Sequence, residues 1–189
     1  MQPEAIAIVS GLPRSGTSMM MQALQAGGMA VLTDHQRPPD DDNPRGYFEF
    51  EPAKKIAHDH SWLPQARGKA VKVVSALLRH LPREYQYKII FMRRPLNEVL
   101  ASQQAMLRRQ GAQGGSDDTT VLPLFARHLT DVSAWIARQP NISVLYVDYH
   151  DVLRAPAQQL ARGRDFLGRG LDLDAMVSVV DERLYRQRW

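Results

Sequence analysis

The chain has 189 residues, 44% of them hydrophobic, which fits one domain of ordinary size with a real core. Its formal charge of +4 comes from 24 Lys and Arg against 20 Asp and Glu with no long basic block, so a small anionic ligand suits it better than a nucleic-acid track. With no cysteine, it has no disulfide, no thiolate metal site and no cysteine nucleophile. That fits a reducing compartment, and the cytoplasm is the expected location. The first residues lack the pattern of a signal peptide, and no apolar run reaches the roughly 20 residues of a membrane span.

In chain order, residues 5–10 (AIAIVS) read as a short strand ended by Gly11 and Pro13. Residues 15–26 (SGTSMMMQALQA) have apolar helical spacing and stop at Gly27 and Gly28, with Ser15 as the expected N-cap. A second short strand is predicted over 29–33, followed by a Pro- and Asp-rich excursion over 34–46. Then come a short helix within 50–60, a strand over 70–75, and a stronger strand over 87–92 (YKIIFM) that ends in Arg93 and Arg94. A helix over 95–109 opens on Pro95, the favoured first position. Residues 111–118 (GAQGGSDD) read as a flexible connection before a long helix to about Arg138. A strand over 142–149 and a helix over 156–167 complete the pattern. Strands alternating with helices imply crossovers, hence a mainly parallel sheet covered on both faces, a three-layer α/β/α fold of one domain over 1–189. In such sheets ligands bind at the carboxyl ends of strands.

The segment Gly11-Leu12-Pro13-Arg14-Ser15-Gly16-Thr17-Ser18 keeps the frame of the phosphate-binding P-loop, G-x-x-x-x-G-K-[ST], with Thr17 where the lysine belongs. Successive N–H groups at a Gly-rich turn, followed by a helix N-terminus, make an anion site. Arg14 restores one positive charge, and Ser15, Thr17 and Ser18 offer hydroxyls. An aspartate ending an apolar strand to hold Mg²⁺ is missing from the best candidate strand, which ends in arginines. A magnesium-dependent small-molecule kinase or NTPase is therefore the weaker alternative.

Residues Pro13 to Ser18 resemble the 5′-phosphosulfate loop of the sulfotransferase family, which reads Pro, Lys or Arg, Ser-Gly-Thr, then Thr or Ser. Arg94 and Ser102 in RRPLNEVLAS are similar to the family's strand-end arginine and the serine eight positions later. The resemblance implies a P-loop NTPase-like fold and 3′-phosphoadenosine 5′-phosphosulfate as the sulfuryl donor, with no metal. It also implies that Arg14, Ser15, Gly16, Thr17 and Ser18 hold the 5′ end while Arg94 and Ser102 bind the 3′-phosphate. Weaker likenesses to a bacterial branch lie in residues 42–49 (DNPRGYFE) and 145–167. Two family elements are absent. Lys72 is followed by Val73 and Val74 where hormone- and phenol-type members carry a histidine base, and the late Arg-Lys-Gly element is missing, leaving Arg183, Arg186 and Arg188 as candidates to replace it.

Sulfuryl transfer needs charge stabilised on the leaving phosphate, for which Arg14 and the helix N-terminus are the candidates. Lys72 matches the family's strand-end lysine near the bridging oxygen, and is otherwise a solvent-facing strand lysine. A hydroxyl or amine acceptor needs a general base. Asp34 is the first choice, with loop capping as its other reading, then Glu49, then His35. The run 40–42 (DDD) reads as a solvated acidic turn, and the remaining histidines lack metal-ligand spacing. The expected partners are a nucleotide donor and a small-molecule, glycan or peptide acceptor shaped by segments 34–62 and 111–120, without nucleic acid or membrane. A protein that binds the nucleotide without catalysis is a further alternative.

Overall fold

The computed structural model describes residues 4–34, 36, 38, 40, 46–109, 111 and 118–181. His35, residues 41–45, residues 112–117, and Arg183, Arg186 and Arg188 lie outside them.

Five parallel strands form one sheet in the order β2-β3-β1-β4-β5: β1 Ile6–Gly11, β2 Val31–Leu32, β3 Ala70–Lys72, β4 Tyr87–Arg93 and β5 Ile142–Asp148. The described helices are α1 Thr17–Ala26, α2 Glu51–Lys54, α3 Leu63–Ala66, α4 Leu96–Arg109, α5 Asp118–Ile136, α6 Tyr149–Arg154, α7 Pro156–Leu167 and α8 Leu173–Ser178, with a 3₁₀ helix over Ser75–His80. The two-residue alternation of β1 assigns the layers. Ile6 and Ile8 pack with Ile56, Leu63, Leu78, Val132 and Ile136 on one face, while Ala7 and Val9 pack with Met20, Met21, Leu24, Leu160 and Met176 on the other. All six β1 residues are buried, as a central parallel strand requires when helices cover both faces. This is the three-layer α/β/α fold expected, with every described strand parallel.

Local differences have local causes. The first helix begins at Thr17 with left-handed Gly16 as its cap, because the Ser15 hydroxyl turns back to donate to Leu12 O at 2.7 Å. The strand expected over 70–75 ends at Lys72, since residues 75–80 coil into the 3₁₀ helix, although Val73 N–H still donates to Val9 O at 3.1 Å. The helix expected within 50–60 is the single turn α2. Helices α3, α6 and α8, each six residues or fewer, are too short to leave a periodicity in the sequence. Among the described residues no helix is long and apolar enough to cross a membrane.

Candidate functional site

The site begins where β1 ends. Gly11 has φ 148°, and a Cβ there would stand 2.5 Å from Ser15 Oγ and 2.6 Å from Met92 O, so only glycine lets the loop leave between β1 and β4. Gly16 has φ 95°, and its Cβ would meet the Tyr149 ring at 2.5 Å. Between them Arg14 takes φ 68°, a left-handed conformation that a non-glycine residue adopts only when its surroundings hold it there. The N–H groups of the first turn of α1 have no intrahelical acceptor and open onto this loop, which gives it the electrostatics of an anion cradle.

Two hydrogen bonds join the loop to the Arg94 segment. Arg14 Nε donates to Ser102 Oγ at 3.0 Å, and Arg94 Nη1 donates to Arg14 O at 3.1 Å. Residues 80 and 88 positions apart thus form one continuous surface at the carboxyl ends of neighbouring strands, where Gly11 pairs with Met92. The two consecutive arginines divide. Arg93 stays out, pairing with Asp148 at 2.9 Å, whereas the Arg94 side chain is only 7% exposed. Arg94 Nε donates to Glu98 at 2.9 Å, its guanidinium lies 4.8 Å from the centre of the Tyr149 ring, and His150 Nε2 approaches the Glu98 carboxylate to 3.0 Å. Burial pushes the Tyr149 hydroxyl above its ordinary pKa, so the ring under the guanidinium is neutral.

Of the residues expected to touch the donor, Arg14, Gly16, Arg94 and Ser102 converge here. Thr17 is half-buried at the mouth of α1. Ser15 is turned inward and 1% exposed, closing the turn instead of presenting its hydroxyl.

A second group lies on the β3 side. Lys72 Nζ donates to Tyr47 O, and Ser18 Oγ donates to the same carbonyl at 3.2 Å, so the segment around Tyr47 lies over the start of α1. The Tyr47 hydroxyl donates to Asp40 at 2.6 Å. Asp34, the first choice for a base, accepts from Glu51 N–H at 2.6 Å and from Gln36 N–H at 3.1 Å. Those backbone donors, Glu51 first, hold its carboxyl below the usual carboxylate range. This is the setting of a residue that pins a loop to α2, and it makes a poor proton acceptor. The Glu49 carboxylate is ion-paired with Lys54 at 2.7 Å, and its carbonyl receives Asp34 N–H and the Thr33 hydroxyl.

Sequence reasoning missed Glu98, Tyr149 and His150. Glu98 carried a signal, standing four positions after Arg94 at a helix start, where opposite charges meet. Tyr149 and His150 carried none, because only the β4–β5 pairing brings them under the loop. Among the described residues no cluster of His, Asp or Glu has the makings of a metal site.

No protein-family model and no curated protein matches the chain. Among solved structures it is similar to the sulfotransferase STF1 from Mycobacterium tuberculosis, with a TM-score of 0.63 and 17% identity, covering 94% of this chain and 70% of that one. It is also similar to the sulfotransferase domain of the Synechococcus PCC 7002 olefin synthase, at TM-score 0.57 and 19% identity over 96% of this chain and 79% of that one. A sulfotransferase from Alicyclobacillus acidocaldarius superposes at 0.52 with 14% identity over 90% and 83% of the two chains. The chain therefore has the fold of these bacterial proteins.

Proposed function

We propose that this chain, folded as bacterial sulfotransferases are, transfers a sulfuryl group from 3′-phosphoadenosine 5′-phosphosulfate to a hydroxyl or amine acceptor. The observation that carries this reading is the contact between the two anion motifs, Arg14 with Ser102 and Arg94 with the Arg14 carbonyl. A donor with two separated phosphate positions needs two cationic sites on one surface, and a triphosphate with magnesium needs a loop lysine and a metal-holding carboxylate. Thr17 stands in place of that lysine, which favours the bisphosphate nucleotide.

In this reading the α1 N-terminus, Gly16, Thr17 and Ser18 hold the 5′ end, and Arg94 with Ser102 holds the 3′-phosphate by charge-assisted hydrogen bonds. Ser15 serves the loop's shape. Transfer runs through a loose in-line transition state in which negative charge builds on the leaving phosphate, so the protein contributes position and electrostatics. Arg14 and Lys72 supply positive charge to that oxygen from the β4 and β3 sides. Asp34 and Glu49 fix the segment that carries Tyr47, whose carbonyl orients Lys72.

The test is thermal stabilisation by adenosine 3′,5′-bisphosphate without magnesium. At 100 times its dissociation constant a ligand adds about 2.7 kcal/mol, which raises Tm by roughly 5–11 °C for a chain of this size. Equal or greater stabilisation by Mg-ATP would overturn the assignment in favour of a kinase.

A further inference from the structure

We propose that His150 is a positioning residue for the donor's 3′-phosphate: acting through Glu98, it sets the orientation and the charge balance of the Arg94 guanidinium, and so makes this chain prefer a nucleotide that carries a 3′-phosphate. The inference rests on the transferase reading above and adds to it a specificity-determining residue at the donor site.

The strand register assembles the group. Arg93 pairs with Asp148, so Arg94 and Tyr149 leave β4 and β5 side by side at the carboxyl edge of the sheet, and His150 follows one position on. Glu98 comes from the first turn of α4. The Arg94 guanidinium is held from three directions: Nε donates to Glu98 at 2.9 Å, Nη1 donates to the Arg14 carbonyl at 3.1 Å, and the centre of the Tyr149 ring lies 4.8 Å from it. Glu98 is held in turn. His150 Nε2 stands 3.0 Å from each of its two carboxylate oxygens. A carboxylate only accepts, so Nε2 is the ring nitrogen that carries a proton, and its N–H points between the two oxygens.

Two effects follow for a phosphate that meets Arg94. The first is orientation. Glu98 reaches Arg94 on a flexible side chain, and a donor on its far side fixes the plane of the carboxylate. The carboxylate then fixes the plane of the guanidinium, whose rigid fork recognises phosphate by direction as well as by charge. The second is electrostatic. A guanidinium already balanced by a carboxylate attracts a further anion weakly, and an N–H aimed at that carboxylate draws charge toward itself and restores attraction on the phosphate side. Both effects act on the 3′-phosphate, because the 5′ end is assigned to the N–H groups of α1.

His150 is the accessible member of the group, its side chain 26% exposed against 5% for Glu98, so it can be replaced without opening the buried Arg94–Glu98 pair.

The experiment is isothermal titration of adenosine 3′,5′-bisphosphate and of adenosine 5′-phosphate into the parent chain, His150→Phe and His150→Gln, without magnesium. Phenylalanine keeps a ring beside Tyr149, 6.2 Å between centres in the parent, and removes the N–H. Glutamine gives up the ring and keeps an amide N–H to offer Glu98. A rotamer-rich side chain that the ligand must order weakens binding roughly 2- to 13-fold. His150→Phe should lose that much affinity for the bisphosphate and less for adenosine 5′-phosphate, so that the ratio of the two affinities falls at least twofold. His150→Gln should keep a ratio nearer the parent's, a rescue that ring packing alone would not produce. A ratio within twofold of the parent's in His150→Phe overturns the inference, and so do equal ratios in the two variants. If His150→Phe does not fold, His150→Ala is read by the same ratio. A parent chain with no preference for the bisphosphate sinks the transferase reading and this inference together, whereas a clear preference that His150→Phe leaves untouched sinks this inference alone.

Discussion

Replacing Glu98 with alanine removes the anion from a pair whose two side chains are 5% and 7% exposed. At that depth the loss is not the small coupling of a surface ion pair. The Arg94 guanidinium stays buried and keeps the Arg14 carbonyl and the Tyr149 ring but loses its carboxylate, and breaking one partner of such a pair costs about 3–5 kcal/mol. For a chain of this length each kcal/mol is worth roughly 2–4 °C, so Tm should fall by about 6–20 °C in calorimetry at neutral pH. Glu98→Gln preserves shape and one acceptor, and should lose only the charge-assisted part, about 1.5–3 kcal/mol. A cycle with Arg94→Met separates the pair from its surroundings, because the double variant buries neither charge and should recover part of the loss. A Tm change under about 2 °C for Glu98→Ala, or strictly additive effects in the cycle, would refute the idea that Arg94 is positioned by a buried carboxylate.

Gly16→Ala should abolish bisphosphate stabilisation and lower Tm, since the added carbon meets the Tyr149 ring at 2.5 Å in a left-handed backbone. Tyr149→Ala in the same chain should restore part of the stability but not all, because the φ of 95° remains. Arg94→Ala should weaken the bisphosphate more than adenosine 5′-phosphate, as equilibrium titrations will read. The 5′-phosphate should also lose about 0.5–1.5 kcal/mol, because Arg94 holds the loop through the Arg14 carbonyl. Equal losses would remove Arg94 from the 3′ site. Asp34→Asn should destabilise the chain at pH 7 and progressively less in acid. The folded carboxyl titrates below its ordinary value of 3.8, so its contribution is complete above that value and is lost as pH falls through the folded pKa. A stability difference that does not change with pH in urea unfolding would contradict this.

The layers and the loop were legible because their signals are local. β1, the Gly11 to Ser18 frame, and the strand ending at Arg93 and Arg94 each announce themselves within ten residues, and the alternation of strands and helices carries the sheet. The partners of the candidate base were not legible. Asp34 has the right residue type at a strand end, but its carboxylate accepts from the backbone N–H of Glu51, which only folding brings to 2.6 Å. For Ser15 the pattern gives a hydroxyl in the loop but not the direction in which it points, which is toward Leu12 O. The hydrogen bond between Ser75 and His128 spans 53 residues between a 3₁₀ turn and a long helix, and no periodicity in either element foretells it.

The position of β1 has a consequence for synthesis on the ribosome. Its two neighbours are β3 and β4, so Ala7 waits for Ala70 and Ile6 for Tyr87 before either finds its ladder partner. The bond that holds Arg14 in its left-handed shape comes from a residue 80 positions later. At about 5–20 residues per second, the nascent loop spends roughly 4–16 s without the strand and guanidinium that give it form. An N-terminal fragment ending before β4 therefore carries the whole glycine-rich motif without the β4 ladder or the Arg94 contact, and the first strand, whose six residues are all buried in the finished sheet, has its β4 edge open and is the segment most in need of protection until the second half of the sheet emerges.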